Sequence, residues 1–429
     1  MQENILRSQV MYSVFVRQFS REGTFEGVRA QLGRIRALGT DVIWLMPVHP
    51  IGVVRRKGTL GSPYAIMDYR AINPEYGTME DFVRLVDAIH QNGMRCIIDV
   101  VYNHTSPDSW LAKNRPEWFY HKPDGSFGNR VGDWGDVIDL DYEQQGLWRY
   151  QIDTLIKWAK IVDGFRCDVA PLVPLAFWQQ ARAEVEAVRH GCLWLSESVE
   201  PCFTLDNRER GMVSLSDGEI FQAFDVAYEY DVYHDFVRYL TDEISLSEYL
   251  DGINRQEYIY PVNAVKLRFL ENHDRPRAAF LIPDEQIRRN WTAFLFFQKG
   301  MTLLYNGQEN GCFTRPGLFD KDTVQWDATR DISPFLARLA AMKRDPLFSR
   351  GRYLARDAGN GIIRAVYTSG DSLCVGIFST KGRCAPVRVP MPEGRYKNMA
   401  DGGDTVVEQG LISCMGEPVV IFLKREEAI

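Results

Sequence analysis

Short apolar runs and longer amphipathic segments alternate along most of the chain. Eight runs rich in β-branched and aromatic residues predict strands, and they cover residues 10–16, 41–46, 95–101, 163–169, 192–196, 221–226, 265–270 and 302–307. The segments between them have the period of amphipathic helices, and the first two end in glycine, at Gly39 and Gly93, as helices often do. Eight strands that alternate with helices predict an α/β fold of the (β/α)₈ barrel type.

An open doubly wound sheet is the alternative to a barrel. That fold carries a glycine-rich nucleotide-binding turn after its first strand. At this point the chain reads RQFSREG, residues 17–23, which is not such a turn. The barrel is therefore favoured.

Three segments depart from the simple barrel pattern. The connections at residues 47–77 and 104–142 are too long for bare turns, and long ordered loops are usually functional. After about residue 350, short strands separated by Gly, Pro, Asp and Asn indicate an appended antiparallel β-domain. We expect a catalytic barrel at residues 1–349 that carries a short inserted loop domain at 104–142, followed by a C-terminal β-sandwich at residues 350–429.

Composition and charge limit the choice of partners. The 429 residues are 45% hydrophobic and carry a net charge of −7 with no run of Lys or Arg, which argues against nucleic acid and anionic membranes. No stretch approaches 18 uncharged apolar residues, and the N-terminus lacks the pattern of a secretory signal. The eight cysteines have no metal-ligand spacing, which fits reduced thiols. We expect a cytoplasmic monomer or homodimer that handles a neutral solute.

Carboxylates stand at the ends of three predicted strands. Asp168 ends the fourth strand, Glu197 the fifth and Asp274 the seventh. Because the C-terminal ends of barrel strands form the active face, the three side chains are expected on one rim. Arg166 points to the same side as Asp168, since strand side chains alternate with period 2, and its charge would keep that carboxylate ionised.

Two carboxylates across a small gap, one ionised and one protonated, can cleave a glycosidic bond. At a separation of about 5–5.5 Å, one attacks the anomeric carbon while the other protonates the departing oxygen. A third carboxylate could stabilise the positive charge of the transition state. Any one of these acids alone could instead cap a helix or pair with a lysine. Three at strand ends, with His104 and His273 nearby, favour catalysis.

Ordered motifs make the sequence resemble the α-amylase family of glycoside hydrolases, family 13, over essentially its whole length. Four segments of the chain resemble the first to fourth family signatures in order: DVVYNHT at 99–105, GFRCDVA at 164–170, LWLSES at 193–198 and FLENHD at 269–274. VIDLDY at 137–142 is similar to the additional signature near the end of the small inserted domain. GSPYAIMDYRAINPEYGT at 61–78 is similar to the substrate-binding loop after the second strand.

The resemblance implies roles for individual residues. It makes Asp168 the nucleophile, Glu197 the general acid/base and Asp274 a stabiliser that binds sugar hydroxyls. It further implies that Tyr64 stacks on the sugar and that His104 and His273 bond its hydroxyls. Arg166 would belong to the substrate-binding set by orienting Asp168. Arg277 resembles a position that reaches the sugar in some members.

Two features depart from the family pattern. Calcium-binding members have a loop rich in Asp, Asn and Gly after the first strand, whereas FSREGTFEG at residues 19–27 offers too few oxygen ligands. No metal or other cofactor is therefore expected. Many starch-degrading members carry Lys-His after the nucleophile, where this chain has Val173 and Pro174, so a preference for long starch chains does not follow.

The resemblance leaves three classes of function open. The first is a retaining hydrolase of α-1,4 and possibly α-1,6 links in malto-oligosaccharides or α-glucans. The second is a transglycosylase or sugar phosphorylase, in which a sugar hydroxyl or phosphate replaces water. The third is a non-catalytic binding relative, which the presence of all three carboxylates argues against.

Overall fold

The computed structural model describes residues 4–131 and 134–423 and contains the predicted closed barrel. All eight strands are parallel and pair in sequence order, and the last pairs with the first. They are β1 (Val10–Val14), β2 (Val42–Leu45), β3 (Arg95–Val100), β4 (Gly164–Cys167), β5 (Leu193–Ser196), β6 (Val226–Tyr228), β7 (Val265–Arg268) and β8 (Met301–Tyr305).

The sixth strand lies later in the chain than predicted. The apolar run at residues 221–226 predicts a strand there, but residues 221–224 continue the turn that follows a short helix, with the amides of Ala223 and Phe224 bonded to the carbonyl of Ile220. Only Val226 of the predicted run belongs to β6. The aromatic residues Phe221, which is half-buried, and Phe224, which is buried, give this turn the composition of a strand.

Helices cover the outside of the barrel and connect its strands. In chain order they are α1 (Val16–Phe19), α2 (Phe25–Arg29), α3 (Leu32–Ala37), α4 (Met79–Gln91), α5 (Trp110–Asn114), α6 (Gln145–Ala159), α7 (Leu175–Val188), α8 (Pro201–Glu209), α9 (Asp217–Ile220), α10 (Tyr230–Leu240), α11 (Leu246–Ile259), α12 (Ala278–Leu281), α13 (Glu285–Phe297), α14 (Ser333–Lys343) and α15 (Pro346–Arg350). Short 3₁₀ turns lie at Ile5–Ser8, Pro116–Trp118, Ala170–Leu172, Gln308–Asn310 and Ala328–Arg330.

Helix α4 illustrates how local sequence sets these elements. The Thr78 hydroxyl accepts a hydrogen bond from the amide of Asp81, whose carboxylate accepts one from the amide of Thr78, so two otherwise unpaired donors at the helix start are satisfied. One face of the helix is apolar and buried, with Phe82, Leu85, Val86 and Ile89. Packing of this stripe against the barrel stabilises the helix.

The C-terminal residues form antiparallel sheets, as predicted. The strands β9 (Arg352–Asp357), β10 (Ile362–Ser369), β11 (Ser372–Ser379) and β16 (Val419–Leu423) make a four-stranded sheet in that order. Two further pairs join β12 (Ala385–Arg388) to β15 (Leu411–Cys414) and β13 (Gly394–Lys397) to β14 (Asp404–Val407).

The C-terminal sheet packs closely on the barrel helices. Phe297 of α13 contacts Tyr367 and Phe378, with ring centroids 5.4 Å apart in both pairs, and Phe348 of α15 lies 4.8 Å from Tyr367. The hydrophobic core is therefore continuous between the two parts. The division into residues 1–349 and 350–429 stays a prediction.

The insertion after β3 contains little regular structure. Within its described part, His104–Thr105 pairs with Ile138–Asp139 in a short antiparallel ladder, and α5 lies between them in the chain. Gly132 and Asp133 of the predicted 104–142 unit lie outside the described residues. Among the residues that the structure describes, no helix combines the length and apolar character needed to cross a membrane.

Gly164, at the start of β4, lies too close to the backbone of β5 to carry a side chain. A Cβ atom at Gly164, whose φ is 155°, would lie 2.1 Å from the carbonyl oxygen of Leu193 in β5. We predict that Gly164→Ala lowers the free energy of unfolding by about 3 kcal/mol, because the backbone of β5 cannot move aside. Urea denaturation measures this.

Gly33→Ala is the matched control for Gly164→Ala. Gly33 lies inside helix α3, and a Cβ there meets no atom within 4 Å among the described residues. The same substitution should stabilise the protein by about 0.5–1 kcal/mol, through helix propensity alone. Equal effects at the two positions would contradict the close approach of β4 and β5.

Candidate active site

Three carboxylates meet in one cleft at the C-terminal ends of the barrel strands. Asp168 directly follows β4, Glu197 directly follows β5, and Asp274 lies in the loop after β7. All three line a cleft of about 370 Å³. Asp168 and Glu197 are buried, with 8% and 10% of their side chains exposed, whereas Asp274 is 37% exposed.

Arg166 lies beneath the cleft and joins two of these carboxylates. Its Nη1 atom donates to Asp168 Oδ1 at 2.8 Å, and its Nη2 atom lies 2.8 Å from Glu197 Oε2. The side chain is fully buried inside the barrel. Period-2 alternation along β4 places Arg166 on the same side as Asp168, as the sequence predicts.

A further buried carboxylate completes the arginine's surroundings. Arg166 Nη1 donates to both oxygens of Asp99, on β3, at 2.8 and 2.9 Å, and the two residues face each other in the register of β3 and β4. The guanidinium also lies within about 6 Å of the ring centres of Trp44, Tyr64 and Tyr228. One cation therefore holds three carboxylates in a water-poor interior.

The residue after Asp168 adopts a strained backbone. Val169 has φ 36° and ψ 43°, in the left-handed region that β-branched residues rarely enter. This conformation directs its amide to Glu197 Oε2, at 2.8 Å. Such strain costs on the order of 1–3 kcal/mol and persists where the surroundings enforce it. Val169 thus fixes Glu197 next to Asp168, a role that no sequence motif indicated.

Burial and unequal neighbours separate the pKa values of the two buried carboxyls. Burial raises the pKa of Glu197 to about 8, and the negative charges of Asp168 and Asp274 add to this against the opposing effect of Arg166. Burial also raises the pKa of Asp168, to about 6, but Arg166 opposes this through a direct hydrogen bond. At neutral pH the cluster therefore holds a proton on Glu197 and an ionised Asp168.

Asp274 is the most acidic of the three carboxyls. Burial raises its pKa, but the interaction with His273, whose Nε2 lies 2.9 Å from Asp274 Oδ2, outweighs that effect and brings the pKa to about 2. The hydroxyl of Tyr64 lies 2.7 Å from the same His273 nitrogen, and the two rings stack with centres 5.4 Å apart. Asp274 thus presents a fixed negative charge to the cleft.

His104 borders the cleft beside Asp168. Its Nε2 atom lies 3.9 Å from Asp168 Oδ2, and the ring centre lies 5.4 Å from that of Trp134. Burial lowers the pKa of His104 to about 4, so the imidazole is neutral at pH 7 and can exchange hydrogen bonds without adding charge. Trp134 lines the cleft as well and offers an apolar ring face.

The structure does not place every predicted residue at the cleft. Tyr64, His104 and His273 line it, and Arg166 lies directly below. Arg277, by contrast, is buried away from it, where its Nη1 donates to Glu271 at 2.6 Å and its guanidinium covers the Tyr305 ring. The structure therefore does not bring Arg277 to the cleft with the other predicted residues.

Arg275 lines the cleft instead of Arg277. It pairs with Glu200, which follows β5, and its guanidinium lies 4.4 Å from the centre of the Tyr230 ring. Neither Arg275 nor Glu200 was predicted from sequence. Their position depends on the path of two loops, which no periodic pattern specifies.

The opposite wall of the cleft consists of two interlocked loops. The amides of Leu60 and Gly61 donate to the carbonyl of Phe319, at 2.9 and 3.1 Å. Arg17, buried in α1, donates to the carbonyls of Gly61 and Leu318 and so joins both loops to the barrel. Backbone hydrogen bonds and Arg17 therefore connect the two loops that form this wall.

Among the described residues, no group of three or more His, Cys, Asp or Glu side chains is arranged to hold a metal ion. Asn103, which matches a calcium ligand elsewhere in the family, directs its side-chain nitrogen to Nδ1 of His104 at 3.3 Å.

Comparisons with known proteins agree with this geometry. A family model described as Alpha amylase, catalytic domain, matches residues 9–127 and 107–354, and one described as Bacterial Alpha amylase C-terminal domain matches residues 354–421. A crystal structure of an α-amylase from Lactobacillus plantarum is 47% identical, with a TM-score of 0.96, and the match covers 98% of this chain and 99% of that one.

Two curated relatives are longer proteins. The α-amylase MalA of Haloarcula japonica is 26% identical over 94% of this chain and 61% of its own length. An α-1,4-glucan:maltose-1-phosphate maltosyltransferase of Pseudomonas aeruginosa is 35% identical over 44% of this chain and 32% of its own length. The chain thus spans less than two thirds of either relative.

The separated pKa values predict where the shared proton lies. We predict that the infrared difference spectrum between the wild type and Glu197→Gln shows a protonated carboxyl band at pH 7. This band should disappear as the pH rises through about 8, because burial favours the neutral acid below that value. Asp168→Asn is the matched control. The assignment would be contradicted if the protonated carboxyl band of the wild type were absent from the spectrum of Asp168→Asn but still present in that of Glu197→Gln.

Proposed function

The chain belongs to the α-amylase family of glycoside hydrolases, and on that premise we propose that it is a retaining hydrolase of α-1,4 links in malto-oligosaccharides or α-glucans. One observation carries the proposal: a single buried arginine contacts both Asp168 and Glu197, whose pKa values differ. A nucleophile must be ionised and a general acid must be protonated at the same pH. This pair meets both needs.

The first step forms a covalent glycosyl-enzyme. An oxygen of the Asp168 carboxylate attacks the anomeric carbon, and the bond from that carbon to the glycosidic oxygen breaks. The departing oxygen keeps the electron pair and takes the proton of Glu197. Arg166 and the Val169 amide keep the two carboxyl groups on adjacent strand ends throughout.

The second step returns the enzyme to its starting state. Glu197, now ionised, accepts a proton from water as the water oxygen attacks the anomeric carbon and releases Asp168. Two inversions at one carbon retain the α-configuration. In both steps the carbon gains positive charge, which the ionised Asp274 stabilises electrostatically in the buried cleft.

The other cleft residues hold the sugar. His273 and Asp274 can both hydrogen-bond sugar hydroxyls. Their positions are fixed, because His273 Nε2 contacts both the Asp274 carboxylate and the Tyr64 hydroxyl. Neutral His104 can bond a hydroxyl from the side of Asp168. The Tyr64 and Trp134 rings supply apolar faces for the sugar ring. The same carboxyl chemistry would also cleave an α-1,6 link.

A glycosyl transferase is the second candidate. The similarity to a maltosyltransferase over 44% of this chain favours it. Both reactions form the same intermediate and differ in what attacks it: water, a sugar hydroxyl or phosphate. Incubation with maltoheptaose, with and without added acceptor or phosphate, separates them by product analysis.

We also propose that the enzyme works without a metal in a reducing compartment. The loop after β1 offers few oxygen ligands, which supports the first point. None of the eight cysteines, all of which lie within the described residues, takes part in a disulfide, which supports the second. The buried positions of Cys96 and Cys167, inside barrel strands, make their thiols structural.

The proposed roles predict different behaviour for the two carboxyl variants. An α-glycosyl fluoride needs no proton from the enzyme, because fluoride leaves unaided. With this substrate, Glu197→Ala should accumulate a glycosyl-enzyme, detected as a mass increase of one sugar unit, while Asp168→Ala should form none. On natural substrates both should lose at least about 10²–10⁴-fold in kcat.

Glu200→Gln is the matched control, since it alters another carboxyl on the cleft lining, one that takes no part in the proposed proton transfer. It should turn the fluoride over without accumulating an adduct. The released sugar should be the α-anomer by NMR of fresh product. An adduct on Asp168→Ala, or initial β-anomer, would contradict the mechanism.

The metal proposal predicts that chelation has little effect. Activity and melting temperature should be unchanged after dialysis against EDTA, because no calcium contributes to the folded state. A fall of many degrees that added calcium reverses would overturn it and would direct attention to Asn103.

A further inference from the structure

A second cavity lies at the opposite end of the barrel from the catalytic cleft. We name it the basal cavity; it has a volume of about 320 Å³ and is lined by Arg7, Gln256, Lys266, Lys299, Arg352 and Tyr353, among others. Arg7 precedes β1, Lys266 lies near the start of β7 and Lys299 precedes β8, so the cavity faces the N-terminal ends of the strands. Arg352 and Tyr353 open the C-terminal sheet, which closes the other side.

Positive charge predominates on the cavity lining. Five cations line it, Arg7, Lys266, Arg268, Lys299 and Arg352, against one carboxylate, Glu257. Three of the cations are neutralised by neighbours: Lys266 by Asp217 and Asp231, Arg268 by Glu229, and Lys299 by Glu257.

Two arginines remain without a carboxylate partner. Among the described residues, no carboxylate oxygen lies within 4 Å of the guanidinium nitrogens of Arg7 or Arg352. Arg7 is 3% exposed, and its Nη atoms donate only to the backbone carbonyls of Val262, Ala264 and Ser349. The buried guanidinium of Arg7 therefore lacks a direct ion pair, and Glu257 attracts it only from beyond ion-pair distance.

Three buried polar atoms on the lining have no hydrogen-bond partner among the described residues. They are Nε of Arg7, Oε1 of Gln256 and the hydroxyl of Tyr353. Buried polar atoms are usually paired, so these three donors and acceptors are available to a polar group that enters the cavity. Two of them can donate a hydrogen bond, and Gln256 Oε1 can only accept one.

The pKa values of two cations on the lining are lowered, in keeping with the excess of positive charge there. Burial lowers the pKa of Lys299, and repulsion from Arg7 and Arg268 adds to this against the attraction of Glu257. Burial likewise lowers the pKa of Arg7. An anion in the cavity would reverse these penalties.

We infer that the basal cavity binds a small phosphomonoester that carries hydroxyl groups, a sugar phosphate being the simplest case. Arg7 and Arg352 contact the phosphate, the Tyr353 hydroxyl donates to it, and Gln256 Oε1 accepts from a hydroxyl of the organic part. A phosphate combines a charge near −2 with three strong acceptor oxygens, which suits several converging donors. The volume lies in the range of small-molecule sites and exceeds what a phosphate alone would fill.

Calorimetric titration of the full chain at constant ionic strength tests the inference. The probes are glucose 6-phosphate, inorganic phosphate and glucose. Glucose 6-phosphate should bind with measurable heat and raise the melting temperature, inorganic phosphate should bind more weakly, and glucose should not compete with either.

Two variants locate the site. Arg352→Gln should weaken binding of glucose 6-phosphate roughly tenfold, since it removes a charged hydrogen bond. Arg356→Gln is the matched control, because Arg356 is exposed on the same face of the same strand but does not line the cavity. Both variants should keep the wild-type hydrolytic rate, because they lie far from the catalytic cleft.

Tyr353→Phe gives a second, independent readout. It deletes a hydroxyl that has no partner within the described protein, so the stability of the unliganded protein should not fall, while binding should weaken several-fold. Equal affinities in Arg352→Gln and Arg356→Gln, or no binding by the wild type, would overturn the site. Equal affinity for inorganic phosphate and glucose 6-phosphate would contradict the inference that the cavity also binds the organic part of the phosphomonoester.

Discussion

The buried guanidinium of Arg166 is the interaction on which the active site depends. Strands β3, β4 and β5 each bring one carboxyl to it, so three adjacent strands are joined through a single cation. Breaking a buried pair of this kind typically costs about 3–5 kcal/mol, because the partner charges stay buried without compensation. Here one positive charge faces three acids, so at least one acid favours its neutral form. Burial, together with the excess of carboxyls over cations, therefore supplies a general acid at neutral pH.

The surrounding backbone keeps this cluster in place at a local energetic cost. Val169 accepts a left-handed conformation so that its amide reaches Glu197, which a relaxed extended residue could not do. On the far wall, backbone hydrogen bonds between the loops after β2 and β8, together with Arg17, leave little freedom for movement. Loops connected in this way can orient a substrate before reaction, which lowers the entropic part of the barrier.

Sequence periodicity predicted what periodic structure determines. Alternation along β4 placed Arg166 and Asp168 on one side, and strand counting brought Asp168, Glu197 and Asp274 to one rim. Periodicity does not give positions that depend on loops: Arg277, named as a substrate contact, lies away from the cleft, whereas Arg275 lines it. The sixth strand was misplaced because buried aromatics in a turn resemble those of a strand. The pairing of Asp99 with Arg166 needs the register of two strands, which a single sequence does not contain.

The central claim is that Arg166 and burial together divide the labour between an ionised Asp168 and a protonated Glu197. The most direct test compares the pH dependence of kcat/KM for a malto-oligosaccharide with that for an α-glycosyl fluoride. With the oligosaccharide, the profile should rise through about pH 6 as Asp168 ionises and fall through about pH 8 as Glu197 loses its proton. With the fluoride, the fall near pH 8 should vanish while the rise near pH 6 stays, because that leaving group needs no acid. An unchanged fall near pH 8 with the fluoride would contradict the account.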